Sequence, residues 1–189
     1  MYGLVNKAIR QMVIEGHGEE TWQGIRVLAG VTDDHFVSLD PYPDDITYNL
    51  VGAASKVLGA KPETLLHAFG NYWVEFAWKG DYRHILSASG RTFSAFVGNL
   101  DQLHSRLRAT FPEYAPPSFR VSDEGPSALK LHYYSHRQGL LPFVAGLLEG
   151  VGRRFHVQVS TEFLPRADGA DHEMMLVSWG PEEVKPPHA

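Results

Sequence analysis

The chain contains no cysteine. That removes disulfides, thiolate-held zinc, iron–sulfur clusters and cysteine nucleophiles together. Any metal must be held by His, Asp, Glu or Tyr, and ten histidines are available. Cations are also scarce: 17 Lys and Arg stand against 22 Asp and Glu, for a net charge of -5. With no cationic excess to neutralise phosphates, a generic nucleic-acid surface is excluded. No apolar run approaches the length of a membrane span. The opening stretch, MYGLVNKAIRQMVIEGHGEE, is charged and amphipathic, without an apolar h-region or a small-residue cleavage site. It does not read as a signal peptide, so the chain is expected to be soluble and cytoplasmic. No HExxH, P-loop or GxGxxG run is found, and no internal repeat.

What is present is apolar weight: 43% of residues are hydrophobic and 12% aromatic, enough for a sizeable core. At 189 residues, one domain is the default expectation. Leu4, Val5, Ala8, Ile9, Met12 and Val13 recur at helical spacing over residues 2–15, and Gly16 and Gly18 are expected to stop that helix. A second short helix is expected over 19–30, around Trp22, Ile25 and Val27. A third runs from about Asp44 to Leu58, with Asp44 or Asp45 able to cap it. Pro62 opens another, with Leu65, Leu66, Phe69, Tyr72 and Trp73 on one face. Residues 92–111 read as one long helix carrying Phe96, Leu100, Leu103 and Leu107.

The texture changes at Pro116–Pro117. Residues 118–122 and 127–136 have β character and flank the turn SDEGPS. A helix from about Leu140 to Arg153 follows, then strands near 156–163 and 173–179 joined by PRADGAD. The fold class is therefore α+β: a helical part, then β–β–α–β–β with antiparallel pairing, because both strand connections are short. Residues 183–189 read as a disordered tail.

Two features carry chemistry. His104 lies four residues after Leu100 and three before Leu107, so it points to the apolar side of its helix. Such an imidazole can be a core histidine bonded to a carbonyl, a phospho-acceptor if exposed, or a metal ligand on an apolar wall. In LHYYSHR, Tyr133, Ser135 and Arg137 are spaced by two and share one face of a strand. Two hydroxyls and a guanidinium on one face suit a carboxylate, though a plain polar outer face gives the same pattern. Together they supply what a haem needs: an axial ligand at one end and anion partners for two propionates at the other. Two further groups could in principle hold a surface metal, His132 with His136 on one strand face, and Asp171-His172-Glu173; solvated polar positions are the simpler reading of both. Arg153 and Arg154 read as a helix C-terminus complementing its dipole.

The order of His104, Pro116–Pro117 and YxSxR resembles the H-NOX (haem-nitric oxide/oxygen binding) family. The likeness extends to MYGLVNKAI, LVGAASKVLG, AFGNYW, NLDQLH, APPSFR, LHYYSHRQGL, LLEGVGRRF and GADHEMM, and covers roughly residues 1–180. It points to bacterial and cyanobacterial stand-alone members and to the β-subunit haem domain of soluble guanylate cyclase. The resemblance implies an H-NOX fold over 1–182, with a helical part of about 1–63, a haem-enclosing part of about 64–182, and haem b buried between. It makes His104 the proximal iron ligand and Tyr133, Ser135 and Arg137 the propionate triplet. It makes Pro117 the proline that presses on the haem, places Val5, Ile9 and Trp73 on the distal side, and gives Leu100, Phe143 and Leu147 to the pocket wall.

Oxygen-binding members carry a distal tyrosine after YxSxR. Here the matching position is Pro142, followed by Phe143, and neither can donate a hydrogen bond. The resemblance thus implies a non-enzymatic sensor that binds nitric oxide and CO, excludes O2, and signals through release of His104. The implied partner is a separately encoded histidine kinase or a cyclic-nucleotide or cyclic-dinucleotide enzyme. Two alternatives stand: O2 sensing, for which the Trp73 indole is a candidate donor, and a peroxidase-type haem enzyme, for which only His67 lies near.

Overall fold

The computed structural model describes residues 1–80, 82–110, 115–166 and 169–181; the tail expected to be disordered lies outside them. Helix α1 (Gly3–His17) carries the predicted apolar stripe, with Ala8, Ile9 and Val13 buried. It runs through Gly16 and stops only at Gly18, whose φ of 86° is a conformation that favours glycine. Helix α2 (Glu19–Leu28) buries Trp22 and Ile25, and α3 (Asp44–Leu58) buries Leu50, Ala53 and Ala54. The expected aspartate cap on α3 is absent: Pro43 holds the cap position and no side chain caps the helix. Asp44 instead spends its carboxylate on longer-range partners described below.

Helix α4 (Pro62–Lys79) has Pro62 in its first turn, where a missing N–H costs nothing. A short helix without a periodic signal, α5 (Arg83–Ser87), follows. The stretch expected as one helix over 92–111 is two, α6 (Phe93–Gly98) and α7 (Leu100–Thr110). Thr92 caps α6 by accepting from the Ala95 amide. The break falls at Asn99, whose side-chain amide donates to the Ser89 carbonyl at 2.8 Å. Its φ of -97° and ψ of 3° depart from the helical range there, and the side-chain bond anchors the corner.

The second half is β1 (Ser118–Ser122), β2 (Ala128–Tyr134), α8 (Leu141–Arg154), β3 (Val157–Leu164) and β4 (Glu173–Pro181). All pairings are antiparallel, in the order β1-β2-β4-β3. Strand β2 ends at Tyr134, two residues earlier than expected, so Ser135 and Arg137 sit in the turn beyond it. Along β2 the period of two sends Leu129, Leu131 and Tyr133 inward and Lys130, His132 and Tyr134 outward.

Two apolar cores result. One groups Trp22, Ile25, Leu50 and Phe69 with α1 and α3. The other groups Leu129, Leu131, Met175 and Val177 of the sheet with Val97, Leu103, Val144 and Leu148 of the helices. Fully burying a side chain such as Leu50 or Leu131 contributes about 2 kcal/mol. Helices α4 and α8 join the cores, running side by side in the same direction at backbone contact. A Cβ on Gly146 would sit 2.0 Å from the His67 carbonyl oxygen, and one on Gly70 would sit 2.2 Å from that of Phe143. Only glycine permits that approach. Among the described residues, no helix is long and apolar enough to cross a membrane.

Candidate functional site

A cavity of about 310 Å³ lies where the two cores meet. Three sets of side chains define it. The first comes from α7 and the segment before β1. Leu103 and Leu107 flank His104 there, and Pro117 adjoins them. His104 Nδ1 donates to the Pro117 carbonyl at 3.0 Å, and its ring lies 5.6 Å from that of Phe119. With the proton on Nδ1, the ring's lone pair is on Nε2. Burial pushes the His104 pKa below its ordinary value, against the opposing pull of the Pro117 carbonyl and Asp101. The ring is therefore neutral at pH 7, the form that binds metals.

Asp101 fixes the same helix from one turn earlier. Its carboxylate accepts from the Ser118 hydroxyl at 2.6 Å and from the Phe119 amide at 3.2 Å. The Ser118 bond, more than the amide, holds its pKa below the usual carboxylate range despite partial burial. Helix α7 is thus tied to the start of β1 at two successive turns.

The second set is apolar. Val5 and Ile9 come from α1, Leu66, Phe69 and Trp73 from α4, Phe143 and Leu147 from α8. Phe143 stacks on Phe69 at 5.3 Å, and Phe69 meets Trp73 edge-on at 6.1 Å. Among the described residues, the Trp73 indole N–H has no hydrogen-bond partner. Pro142, the residue matched above to the distal tyrosine, is not on this wall; Phe143 is. Pro142 sits in the first turn of α8, and the next residue is the one whose side chain turns inward.

The third set closes one end. Tyr133, Ser135 and Arg137 line both the cavity and a neighbouring outer groove, so they stand where the cavity meets solvent. Burial raises the Tyr133 pKa, while a hydrogen bond with Ser135 opposes it. The Ser135 hydroxyl accepts from the Arg137 amide at 3.0 Å, which sets the turn. Arg137 forks onto Asp44 at 2.7 and 3.2 Å and donates to the Ala115 carbonyl at 2.8 Å. Asp44 also receives the Met1 amine at 2.5 Å. Burial pushes the Asp44 carboxyl up, but Arg137 and the Met1 amine together bring it below the usual range.

Of the residues singled out from sequence, Val5, Ile9, Trp73, His104, Pro117, Tyr133, Ser135, Arg137, Phe143 and Leu147 all line this cavity. Leu100 does not; it opens α7 after the Asn99 break and packs against the sheet-side core. His67 bonds Glu149 at 2.9 Å and is not part of the lining. Asp44, Thr47 and Tyr82 reach the site without having been foreseen there. Only Asp44 had any sequence signal, and that signal suggested a cap.

The donor set suits haem: a neutral imidazole anchored through Nδ1, apolar walls, and an arginine with hydroxyls at one end. Arg137 uses three nitrogens in the bonds named, and a guanidinium carries five N–H donors. The chain is 35% identical over 165 residues to soluble guanylate cyclase gcy-31 of Caenorhabditis elegans, covering 87% of this chain and 24% of that protein. It thus spans about a quarter of that relative's length. Its fold matches a mutant of the H-NOX protein from S. oneidensis in the Fe(II) ligation state, with a TM-score of 0.85 at 20% identity over 97% and 98% of the two chains. The H-NOX protein from S. oneidensis in the Fe(II)NO ligation state matches with a TM-score of 0.84 at 20% identity, over 95% and 99%. The Haem-NO-binding family profile matches residues 2–163, and the chain belongs to that family.

Proposed function

We propose that the chain is a haem-based sensor that binds nitric oxide and CO, excludes O2, and signals to a separate partner through release of His104. The observation that carries this reading is the His104–Pro117 bond on the cavity wall. A metal-bound imidazole characteristically gives its other N–H to a carbonyl or carboxylate. When bound, ferrous haem would supply an iron atom that His104 could hold and that could bind a diatomic gas. Tyr133, Ser135 and Arg137 would hold its propionates, and Pro117 would press on its face. Val5, Ile9, Phe143 and Leu147 offer no hydrogen-bond donor, which disfavours O2, a ligand that acquires negative character on binding. Nitric oxide depends far less on such a donor. The S. oneidensis relative's Fe(II)NO state supports that choice of gas.

Signalling follows from where His104 is fixed. Helix α7 is joined to β1 through His104–Pro117 and Asp101–Ser118, so freeing His104 on the cavity side lets α7 and the sheet move together against α1 and α4. The gas must bind the released arrangement more tightly, or no population shifts. The partner that reads this motion is proposed to be a histidine kinase or a cyclic-nucleotide or cyclic-dinucleotide enzyme. The chain itself acts as a sensor without catalysis, in one domain whose helical part is about 1–63.

An anaerobic visible spectrum of the reduced protein tests the reading. The Soret band is expected to move on adding NO to the position of haem that has lost its histidine, with no oxy spectrum in air. A second reading, O2 binding, rests on the Trp73 indole N–H beside the cavity; a stable oxy spectrum in air selects it. No Soret band after reconstitution overturns both.

A further inference from the structure

The outer face of the sheet brings together one residue from each of the two histidine groups noted in the sequence. His132 points outward from β2, and the β2–β4 register pairs it with Met174. That register sets His172, just before β4, beside it. Nδ1 of His132 and Nε2 of His172 are 2.9 Å apart. The other nitrogen of each ring is anchored to oxygen. His132 Nε2 is 2.8 Å from the Ser122 hydroxyl, and His172 Nδ1 is 2.9 Å from the Asp171 carboxylate. Tyr134 stacks on His172 at 4.4 Å and fixes its plane. His136, the partner expected from strand spacing, instead lies 3.9 Å from Asp44.

With protons alone, the chain of bonds runs one way: Ser122 donates to His132, His132 to His172, and His172 to Asp171. Moving the His132 proton from Nδ1 to Nε2 reverses only the first bond. It also leaves two lone pairs facing each other across the gap. We propose that this pair is a binding site for a divalent transition-metal cation such as zinc. His132 Nδ1 and His172 Nε2 would be the protein ligands, with water in the remaining positions.

Binding needs a slight parting of the nitrogens and a tilt of both rings, whose facing nitrogens now lie almost on the line between the ring centres. Zn–N bonds of about 2.0–2.1 Å at a tetrahedral angle put two nitrogens about 3.3 Å apart, a widening of under half an ångström. Both outer nitrogens already have the partners that metal-bound imidazoles use, a hydroxyl and a carboxylate. Two imidazoles with no carboxylate in the gap select zinc, copper or nickel over calcium and magnesium. Of the neighbouring cations, Lys130 is paired with Asp123 at 2.7 Å and Arg120 lies over the Tyr134 ring. A bound ion would clip the turn before β4 to the β1–β2 hairpin.

The test is a titration of this chain with zinc against a chromophoric indicator. One equivalent is expected to bind. His132→Gln and His172→Gln should each weaken it more than tenfold, and Asp171→Asn should weaken it about tenfold or more. Among the described residues, Asp33, Asp34 and His35 form the one group of three or more clustered potential ligands, and His35→Gln should leave binding unchanged. Zinc should also raise the melting temperature of the parent but not of His172→Gln, a substitution in an outer turn that spares the core. Failure to compete with the indicator, full-strength binding in His172→Gln, or loss in His35→Gln would overturn the proposal.

Discussion

On the His104 wall, polar groups are bonded to the backbone or side chains of the next element: His104 to the Pro117 carbonyl, Asp101 to Ser118 and Phe119. The wall built from α1, α4 and α8 presents Val5, Ile9, Phe69 and Phe143, with the Trp73 indole as its one N–H among those named. The first wall orients a single nitrogen and keeps it unprotonated. The second is apolar and offers almost nothing to a polar ligand. Orientation on one side and indifference on the other agree with the proposed role in binding small neutral gases. The difference also assigns the walls different weaknesses, one to loss of a bond and the other to loss of packing.

The largest effect is expected on the bonded wall. His104→Gly should abolish stable haem retention unless imidazole is added, read from the Soret band of purified protein with and without it. Full haem and an unchanged ferrous spectrum would remove His104 as the ligand. The packed wall breaks differently. Gly146→Val sets a side chain against the His67 carbonyl, where no flexible atom can yield. It should cost about 3 kcal/mol or more in denaturant unfolding, and an unchanged midpoint would contradict the α4–α8 contact.

A smaller loss, about 1–2 kcal/mol, is expected of Asp44→Asn, which removes the charge that Arg137 and Met1 share at a partly exposed site. Because the folded Asp44 carboxyl titrates below its ordinary 3.8, its contribution is complete above that value and is lost as pH falls further. Melting curves of parent and variant should therefore converge in acid. The smallest change in stability, under about 1.5 kcal/mol, is expected of Phe143→Tyr, a nearly isosteric swap. Yet it places a hydroxyl on the indifferent wall, and an oxy spectrum should appear in air. Its absence would show that the wall excludes O2 by something other than a missing donor.

Much of this site is legible because its parts have local signatures. A histidine four residues from one leucine and three from another announces an apolar helix face, and alternation in LHYYSHR sends Tyr133 inward. The strands match their expected ends within two residues. Illegible are the choices that depend on distant partners. Asp44 looks like a helix cap because capping is local, whereas its actual partner Arg137 is 93 residues away. A periodic helix is interrupted at Asn99, where its side chain meets the carbonyl of Ser89. Leu100 keeps its place in the pattern yet packs against the sheet-side core instead of the cavity.

By itself, then, the sequence determined the α+β order of elements, the buried face of α7 and the residues proposed to hold an iron and two carboxylates. Periodicity and side-chain chemistry act over a few residues and need no partner. Tertiary structure decided that Phe143 rather than Pro142 faces the cavity, that Arg137 closes on Asp44, and that His132 meets His172 instead of His136. Each of those outcomes rests on strand register or helix contact between segments far apart in the chain, and no local pattern encodes such a meeting.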